Sequence, residues 1–447
     1  MSVLTSILFV IVMLGVLASF HELAHFWVAR LLKIKVYEVS LFVGPKLLQW
    51  KHKDVDFSIR LIPIGAYVRF NEVDSEGYVV ESDDPNLLAN QPRLKRLLVS
   101  LAGPFMNFVL GVIIFFAMFA ITGFVSTEIG ESRKGTQTEV VASEFTEGDR
   151  IVKINGDSIY TVYDLYYDLD SIAPTDDMVV TLKSKETGKN YDITLTPVIR
   201  TRPMMLITAN TDTENEYSGW NVVSVDEEQN NGNPILKKGD YVTHVNGKSV
   251  ADDDFDEFMY SISDEVLTVT YVRDGETFEE ELIPQYQDYV TARGLALKPY
   301  IANSPSAFAK AFAYAAKMPA SMGKISVRGI RDAIAGKIKA YNLVSGPIGI
   351  TSMVNDVVKD EEDTAGDKIY MLIMLTAFIS IALAFSNLLP IPGLDGVQIV
   401  LVIVEMVIGR KLSEKAERRI TVVGFLLIIL LLIFAFVSDI LTIIFGY

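Results

Sequence analysis

Four runs of this chain carry no charged residue, and each is long enough to cross a bilayer as a helix: Val3–Phe20, Leu97–Ser126, Ile369–Leu394 and Ile420–Ser438. A hydrocarbon core of about 30 Å takes about 20 apolar residues in helical conformation. In lipid, only helices and closed barrels satisfy their own backbone groups. The runs therefore predict a polytopic α-helical membrane protein with four transmembrane helices. Composition agrees, with 50% hydrophobic and 21% charged residues. The first run lacks a basic leader and a small-residue cleavage site, so it reads as a retained span rather than a signal peptide.

Charge is distributed unevenly. Residues 124–390 hold 24 Lys/Arg and 41 Asp/Glu and so account for the whole of the net charge of −16, the flanking segments being close to neutral. Basic residues cluster between spans one and two (Arg30, Lys33, Lys35, Arg93, Lys95, Arg96) and between spans three and four (Arg410, Lys411, Lys415, Arg418, Arg419). By the positive-inside rule both connections are cytoplasmic, and the acidic middle and both termini lie outside. The acidic balance excludes nucleic acid as an expected partner. Cysteine is absent, which removes disulfides, thiolate metal sites and Cys catalysis.

After the first span, Lys35–Phe42, Val55–Ile62 and Ala66–Phe70 have strand composition, punctuated by Gly44-Pro45, Pro63 and Gly65. They predict a small sheet or hairpin beside the membrane, followed by an acidic loop over 71–92. The middle repeats itself. Glu147–Ile159 (EGDRIVKINGDSI) and Lys238–Val250 (KGDYVTHVNGKSV) lie 91 residues apart. Each offers Gly-Asp, a short strand and an Asn-Gly hairpin turn. A helix-like segment follows each (Val162–Ile172; Phe255–Ser263), then a further strand (Met178–Lys183; Val266–Val272). This pattern resembles tandem PDZ domains, α+β modules that bind extended peptides at a sheet edge, so a peptide ligand is one expectation and a plain spacer role the other. Ser304–Lys339, rich in Ala and basic residues, predicts an amphipathic segment on the membrane surface. Ser345–Ile350 reads as a turn.

Two of the four histidines fall in His21-Glu22-Leu23-Ala24-His25, directly continuing the first apolar run. On a helix, positions i and i+4 share a face, so both imidazoles can bind one Zn²⁺ through neutral nitrogens at about 2.1 Å. Zinc lowers the pKa of a bound water to about 7, and Glu22 is placed to take the proton. A catalytic zinc wants a third protein ligand. His52 lies between two lysines, and His244 sits on a repeat strand where the first repeat has Lys153. Asp395 is the conspicuous carboxylate. It follows two prolines in NLLPIPGLDG (Asn387–Gly396), where a broken span must line protein or a cavity. A metal ligand and a helix cap are both open readings of it.

HELAH in span one, AGPFMN in span two, the tandem repeats, SGPIGI and NLLPIPGLDG together resemble the site-2 protease family of intramembrane zinc metalloproteases over essentially the whole chain. The closest arrangement is that of the bacterial regulator-of-sigma-E proteases, with four spans and two extracytoplasmic PDZ domains. The resemblance implies zinc held by His21, His25 and Asp395, Glu22 as catalytic base, and Asn387 at the substrate or oxyanion. It also implies that Leu61–Arg69, with Gly65, Ala66 and Tyr67, pairs with an unwound substrate. Ala24 and Ala66 stand where the family usually has Gly, and Val397-Gln398 where it often has Gly-His. The expected division is 1–30 (span one with HExxH), 31–92 (cytoplasmic β region and loop), 93–126 (span two), 127–200 and 201–287 (PDZ-like domains), 288–365 (amphipathic segment), 366–396 (span three) and 397–447 (cytoplasmic connection and span four). The implied setting is the bacterial inner membrane, with the active site toward the cytoplasm. The implied work is cleavage of single-span membrane proteins already trimmed by another protease, with the bilayer as the other partner. The competing expectation is an inert membrane adaptor whose PDZ pair recruits partners.

Overall fold

The computed structural model describes residues 3–72, 82–130, 145–173, 176–196, 199–212, 217–252, 254–290, 297–339, 346–360, 364–411 and 413–445. The chain divides into two compact units, residues 1–124 with 300–447, and residues 125–299.

Among the described residues, the first unit has four helices long and apolar enough to cross a membrane: Leu4–Leu31, Arg93–Thr122, Ala365–Leu388 and Val422–Leu441. The first lies within α1 (Val3–Leu31). Two strands follow, β1 (Glu38–His52) and β2 (Val55–Arg69), then α2 (Arg93–Thr122). The strands are long and bent. Glu38–Leu41 is flanked on one side by Asp56–Ile59 and on the other by Ala66–Arg69, while Lys51 and His52 pair with Asp56 and Val55. Ala66–Arg69 is thereby an edge of the sheet. Between these pairings β2 runs against α1, and a Cβ at Gly15 would lie 2.1 Å from the Pro63 carbonyl oxygen. Gly15 is six residues, or about 9 Å along the helix, inside His21. The predicted hairpin thus reaches along the span instead of resting beside it. Val36, Val39 and Val55 pack with Ala29 and Ile34 beneath it.

Two helices, α3 (Pro305–Ala315) and α4 (Met318–Ile334), occupy the segment expected to be amphipathic. Residues Gly346–Ile350, expected as a turn, instead open α5 (Pro347–Lys359); Ser345 lies outside the described residues. Proline at a first helical turn is pre-organised for the helix. The cap comes from far away: the Asp439 carboxylate accepts from Gly346 N at 2.8 Å and Ile348 N at 3.2 Å, a contact no local pattern could reveal. A capping box of Thr364 and Asp367 starts α6 (Ala365–Leu388). Pro390 disfavours helix in the preceding residue, and Leu389 is extended. A new helix, α7 (Asp395–Ile408), then begins. The sequence reading has a connection from 397, but 14 residues here are helical. Asp395 ends the apolar run of span three, and Glu405 adds a second charge near the end of α7; its side chain is 1% exposed and lies 2.7 Å from Arg96 Nη1. At about 21 Å, α7 is too short to cross a bilayer. The last helix is α8 (Glu414–Phe445).

In the second unit each repeat forms the same series. In the first, β3 (Phe124–Ile129), β4 (Arg150–Ile154), β5 (Asp157–Ser158), helix Val162–Asp170, β6 (Met178–Lys183) and β7 (Asn190–Leu195) follow in order. After β8 (Ile199–Met204) and β9 (Ile207–Asp212) comes the second: β10 (Gly219–Val225), β11 (Tyr241–Val245), β12 (Lys248–Ser249), helix Phe255–Ser261, β13 (Leu267–Arg273) and β14 (Glu276–Leu282). The repeated asparagines do the same job twice, Asn155 Oδ1 accepting from Val179 N at 2.8 Å and Asn246 Oδ1 from Thr268 N at 2.7 Å. Each module has its own core, around Ile151, Leu165 and Leu182 in one and Val242, Leu267 and Tyr271 in the other. Burial of each such side chain is worth about 1.5–3 kcal/mol. The sheet orders are β16-β3-β4-β6-β7 and β14-β13-β11-β10-β9, where β16 is Leu297–Tyr300, and β8 pairs with β15 (Gln285–Val290). The first sheet is therefore completed by a strand that follows the second module, so the second module is inserted in the first. The expected boundary near 200 separates two consecutive modules and misses this return.

Candidate metal centre

α1 remains helical through the HELAH segment, which puts His21 and His25 one turn apart with their rings edge-to-face, centroids 4.9 Å apart. The break after α6 delivers Asp395 to the same point from the other end of the chain. His21 Nε2 lies 2.9 Å from Asp395 Oδ2, His25 Nε2 lies 3.3 Å from it, and the two nitrogens are 3.2 Å apart. Donor atoms bound to one tetrahedral ion at about 2.0–2.1 Å stand about 3.3–3.4 Å apart, so this triangle fits a single divalent cation.

The remaining contacts fix which nitrogens carry lone pairs. His25 Nδ1 is 2.7 Å from the Val99 carbonyl oxygen of α2. A hydrogen bond there places the proton on Nδ1 and frees Nε2 for a metal. His21 Nδ1 is 3.2 Å from the Asn107 amide, whose Oδ1 has no hydrogen-bond partner although it is buried. Amide O and N are assigned from the surrounding hydrogen bonds. Turning this amide over lets Oδ1 accept from His21 Nδ1, removes the orphaned acceptor and frees His21 Nε2. Asn387 Nδ2 lies 3.5 Å from the same His21 nitrogen, at the outer limit of a hydrogen bond.

Space for an ion comes from Gly103. A Cβ there would lie 2.4 Å from Nε2 of each histidine, close to the distance of a bound metal. The donor chemistry, the tautomers and this gap all fit a metal held by His21, His25 and Asp395.

Glu22 sits beside this triad, its carboxylate and the two imidazoles lying within 4.8 Å of one another. Glu22 Oε2 accepts from Val68 N at 3.1 Å. That amide points away from β1, out of the sheet edge Ala66–Arg69, so the edge contacts the glutamate itself. Gly65 and Ala66 lead into this edge. The Tyr67 hydroxyl is engaged elsewhere, donating to Glu38 at 3.0 Å and accepting from Arg60 at 2.7 Å. Burial alone would raise the Glu38 carboxyl, but Tyr67, Arg69, Lys46 and Arg60 overcome it and hold it below the ordinary carboxylate range.

Sequence reasoning missed Val99, Gly103 and Val68. Val99 and Val68 act through the backbone and leave no residue-type signal. Gly103 was visible only as a tolerated glycine in AGPFMN. Asn107 is a buried polar residue within the second span, and its side-chain partner is His21.

A family model described as Peptidase family M50 matches residues 9–431. A Clostridium acetobutylicum protein is 26% identical over 435 residues, covering 97% of each chain. A Neisseria meningitidis serogroup A protein is 26% identical over 455 residues, 95% of this chain and 96% of its own. A Synechocystis protein is 26% identical over 449 residues, 98% and 95% respectively. Each bears the name "putative zinc metalloprotease".

Proposed function

Because the chain belongs to peptidase family M50, we propose that this multi-pass membrane metalloprotease is a zinc endopeptidase that cuts its substrates within or beside the bilayer. The observation that carries the reading is the meeting of His21, His25 and Asp395 within 3.3 Å, with Glu22 alongside.

Zinc, when bound, supplies a Lewis acid and lowers the pKa of a bound water to about 7. His21, His25 and Asp395 would hold it. Glu22 takes a proton from the attacking water as the new C–O bond forms, then returns it to the amide nitrogen as the C–N bond breaks. Val68 N–H holds the Glu22 carboxylate in place for both transfers. Val99 and Asn107 keep the imidazole tautomers fixed. Asn387 lies near enough to His21 to meet the carbonyl oxygen of a substrate.

A transmembrane helix hides its backbone in hydrogen bonds, so a substrate segment must unwind before attack. The edge Ala66–Arg69, one amide of which already reaches Glu22, is suited to receive such a strand. Single-span proteins trimmed beforehand by another protease are the substrate class we propose, as in second-step cleavage of a membrane anti-sigma factor or clearance of signal-peptide remnants. In this reading the two repeat modules are PDZ-like domains outside the cell membrane that exclude untrimmed chains or bind a peptide. The positive-inside rule supports that orientation, with the metal centre toward the cytoplasm.

The test is co-expression with a panel of truncated single-span proteins, wild type beside Glu22→Gln. Loss of general acid–base catalysis costs about 10²–10⁴-fold, so the chelator-sensitive fragment should vanish while zinc stays bound. Undiminished cleavage by purified Glu22→Gln protein would sink the mechanism.

A further inference from the structure

A cavity of about 600 Å³ opens where the end of α1 meets the turn between β1 and β2. Its floor is apolar, formed by Phe26, Val55 and Phe57, and its rim carries Arg30, His52 and Lys53. None of the described residues that line it is acidic. Two carboxylates flank the lining without forming part of it: Asp54, exposed in the turn between Lys53 and Val55, and Asp56, which faces Lys51 at 3.9 Å. Arg30, His52 and Lys53 are exposed, so the charged rim faces outward. The volume falls within the range of about 300–1,000 Å³ usual for small-molecule sites.

Its depth follows from the length of α1. Twenty-nine residues extend about 43 Å, the thickness of a bilayer together with both headgroup layers, about 40–45 Å. The last turn of a helix that enters at the opposite face therefore emerges among the headgroups. Trp27 is 48% exposed and Leu31 81% exposed on this turn, the pattern of an aromatic and an aliphatic side chain lying against lipid at an interface. Directly beside them the cavity joins an apolar floor to a basic rim. A molecule that matches both must carry an anionic group next to an apolar body, at headgroup depth.

We propose that this cavity binds the headgroup of an anionic phospholipid, with the phosphate against Arg30 and Lys53 and the upper acyl chain over Phe26 and Phe57. On the proposed orientation it faces the cytoplasmic leaflet, the side on which anionic lipids draw basic segments. The site lies one to two turns of α1 beyond His25, on the same β1–β2 sheet whose far edge meets Glu22. Lipid there would brace the sheet against α1.

The test uses the purified full chain in a zwitterionic detergent, titrated with short-chain phosphatidylglycerol. Phosphatidylcholine of the same chain length and inorganic phosphate are run in parallel. Tryptophan fluorescence reads the result, since Trp27 lines the cavity. A saturable change with phosphatidylglycerol, absent with the other two, is expected. Each basic side chain beside an anionic surface is worth about fivefold, so Arg30→Gln/Lys53→Gln should bind about 25- to 30-fold more weakly. Arg30→Lys/Lys53→Arg should retain binding. Equal affinity in the Gln double variant, or an equal response to phosphatidylcholine, overturns the site. A response to inorganic phosphate matching that to phosphatidylglycerol overturns the lipid assignment. The readout is independent of proteolysis, so it stands or falls separately from the role of Glu22.

Discussion

Gly103→Ala isolates the geometry of the metal centre with one methyl group. Built on the present backbone, the new Cβ lies 2.4 Å from both His21 Nε2 and His25 Nε2. Ordinary contact begins near 3.4 Å, so each nitrogen must retreat by about 1 Å. Metal–ligand distances tolerate about 0.2 Å, and neither ring can move freely while Val99 and Asn107 hold its other nitrogen. Zinc affinity should fall at least about 100-fold, or about 2.7 kcal/mol. Proteolysis should fall with it. The overlap should cost the fold only about 1–3 kcal/mol of overpacking, partly offset because alanine is a better helix residue than glycine by about 0.8–1.0 kcal/mol. The assay is zinc per chain by atomic absorption after dialysis against buffered zinc, read beside the thermal midpoint in detergent. Full zinc occupancy at wild-type affinity, with an unchanged midpoint, would refute the placement of the metal against α2.

Val68→Pro removes the amide that holds Glu22 from an edge position where proline is tolerated. The turnover number should drop at least about tenfold with zinc content unchanged; an unaltered turnover number would show that the contact does not position the base. Arg96→Leu leaves the buried Glu405 without its guanidinium and should cost about 3 kcal/mol or more. Arg96→Leu/Glu405→Leu should recover most of that loss of thermal midpoint, and a double variant as unstable as the single one would reject the ion pair as the cause. Tyr191 is pushed up to about 12 by burial and by its hydrogen bond to Asp149. A raised folded pKa gives stability that is complete below about 10, the unfolded tyrosine value, and is lost as pH rises toward about 12. Wild type should therefore lose stability across that window relative to Tyr191→Phe, with the two pH slopes differing most there, and tyrosinate absorbance should show one late-titrating group missing in the variant. Identical alkaline profiles would remove Asp149 and burial as the source of the shift.

What is legible in the sequence follows periodicity and short-range turn chemistry. The four apolar helices, the strand–turn–helix series of each repeat, and the convergence of His21 and His25 are all local patterns of spacing. The β16 return to the first sheet is not legible, because four residues beyond the second module carry no mark of which sheet they will join. Helix α5 is hidden for a similar reason: its cap is a carboxylate 91 to 93 residues away. Helix α7 is hidden because Asp395 closes the apolar run, and the charge at the far end of the helix, Glu405, finds its partner only in Arg96, 309 residues away. In each case a long-range partner overrides the local reading, and that partner is a property of the fold rather than of the segment.

The metal centre depends on α2 as much as on the helices that supply its donors. Val99, Gly103 and Asn107 are spaced four residues apart, so they occupy one face of α2. Read along that face, they offer a carbonyl for His25, an empty volume for an ion and an amide for His21. The spacing matches that of His21 and His25 on α1, so two helices with the same repeat can lie against each other turn for turn. A side chain at the middle position would close the gap, and loss of either flanking contact would free an imidazole to turn. In an apolar surround, a neutral histidine with an unanchored ring has little to orient it, whereas one whose Nδ1 is held by α2 can present Nε2 in one direction only. Pro104 follows Gly103 without ending the helix, and this segment carries no ionisable group of its own. The AGPFMN segment therefore reads as the mould of the site rather than as a break in a span. A family-wide pattern in which the last position varies freely among apolar residues while the middle stays glycine would argue against the role given to Asn107; the first position, acting through its backbone carbonyl, is free to vary.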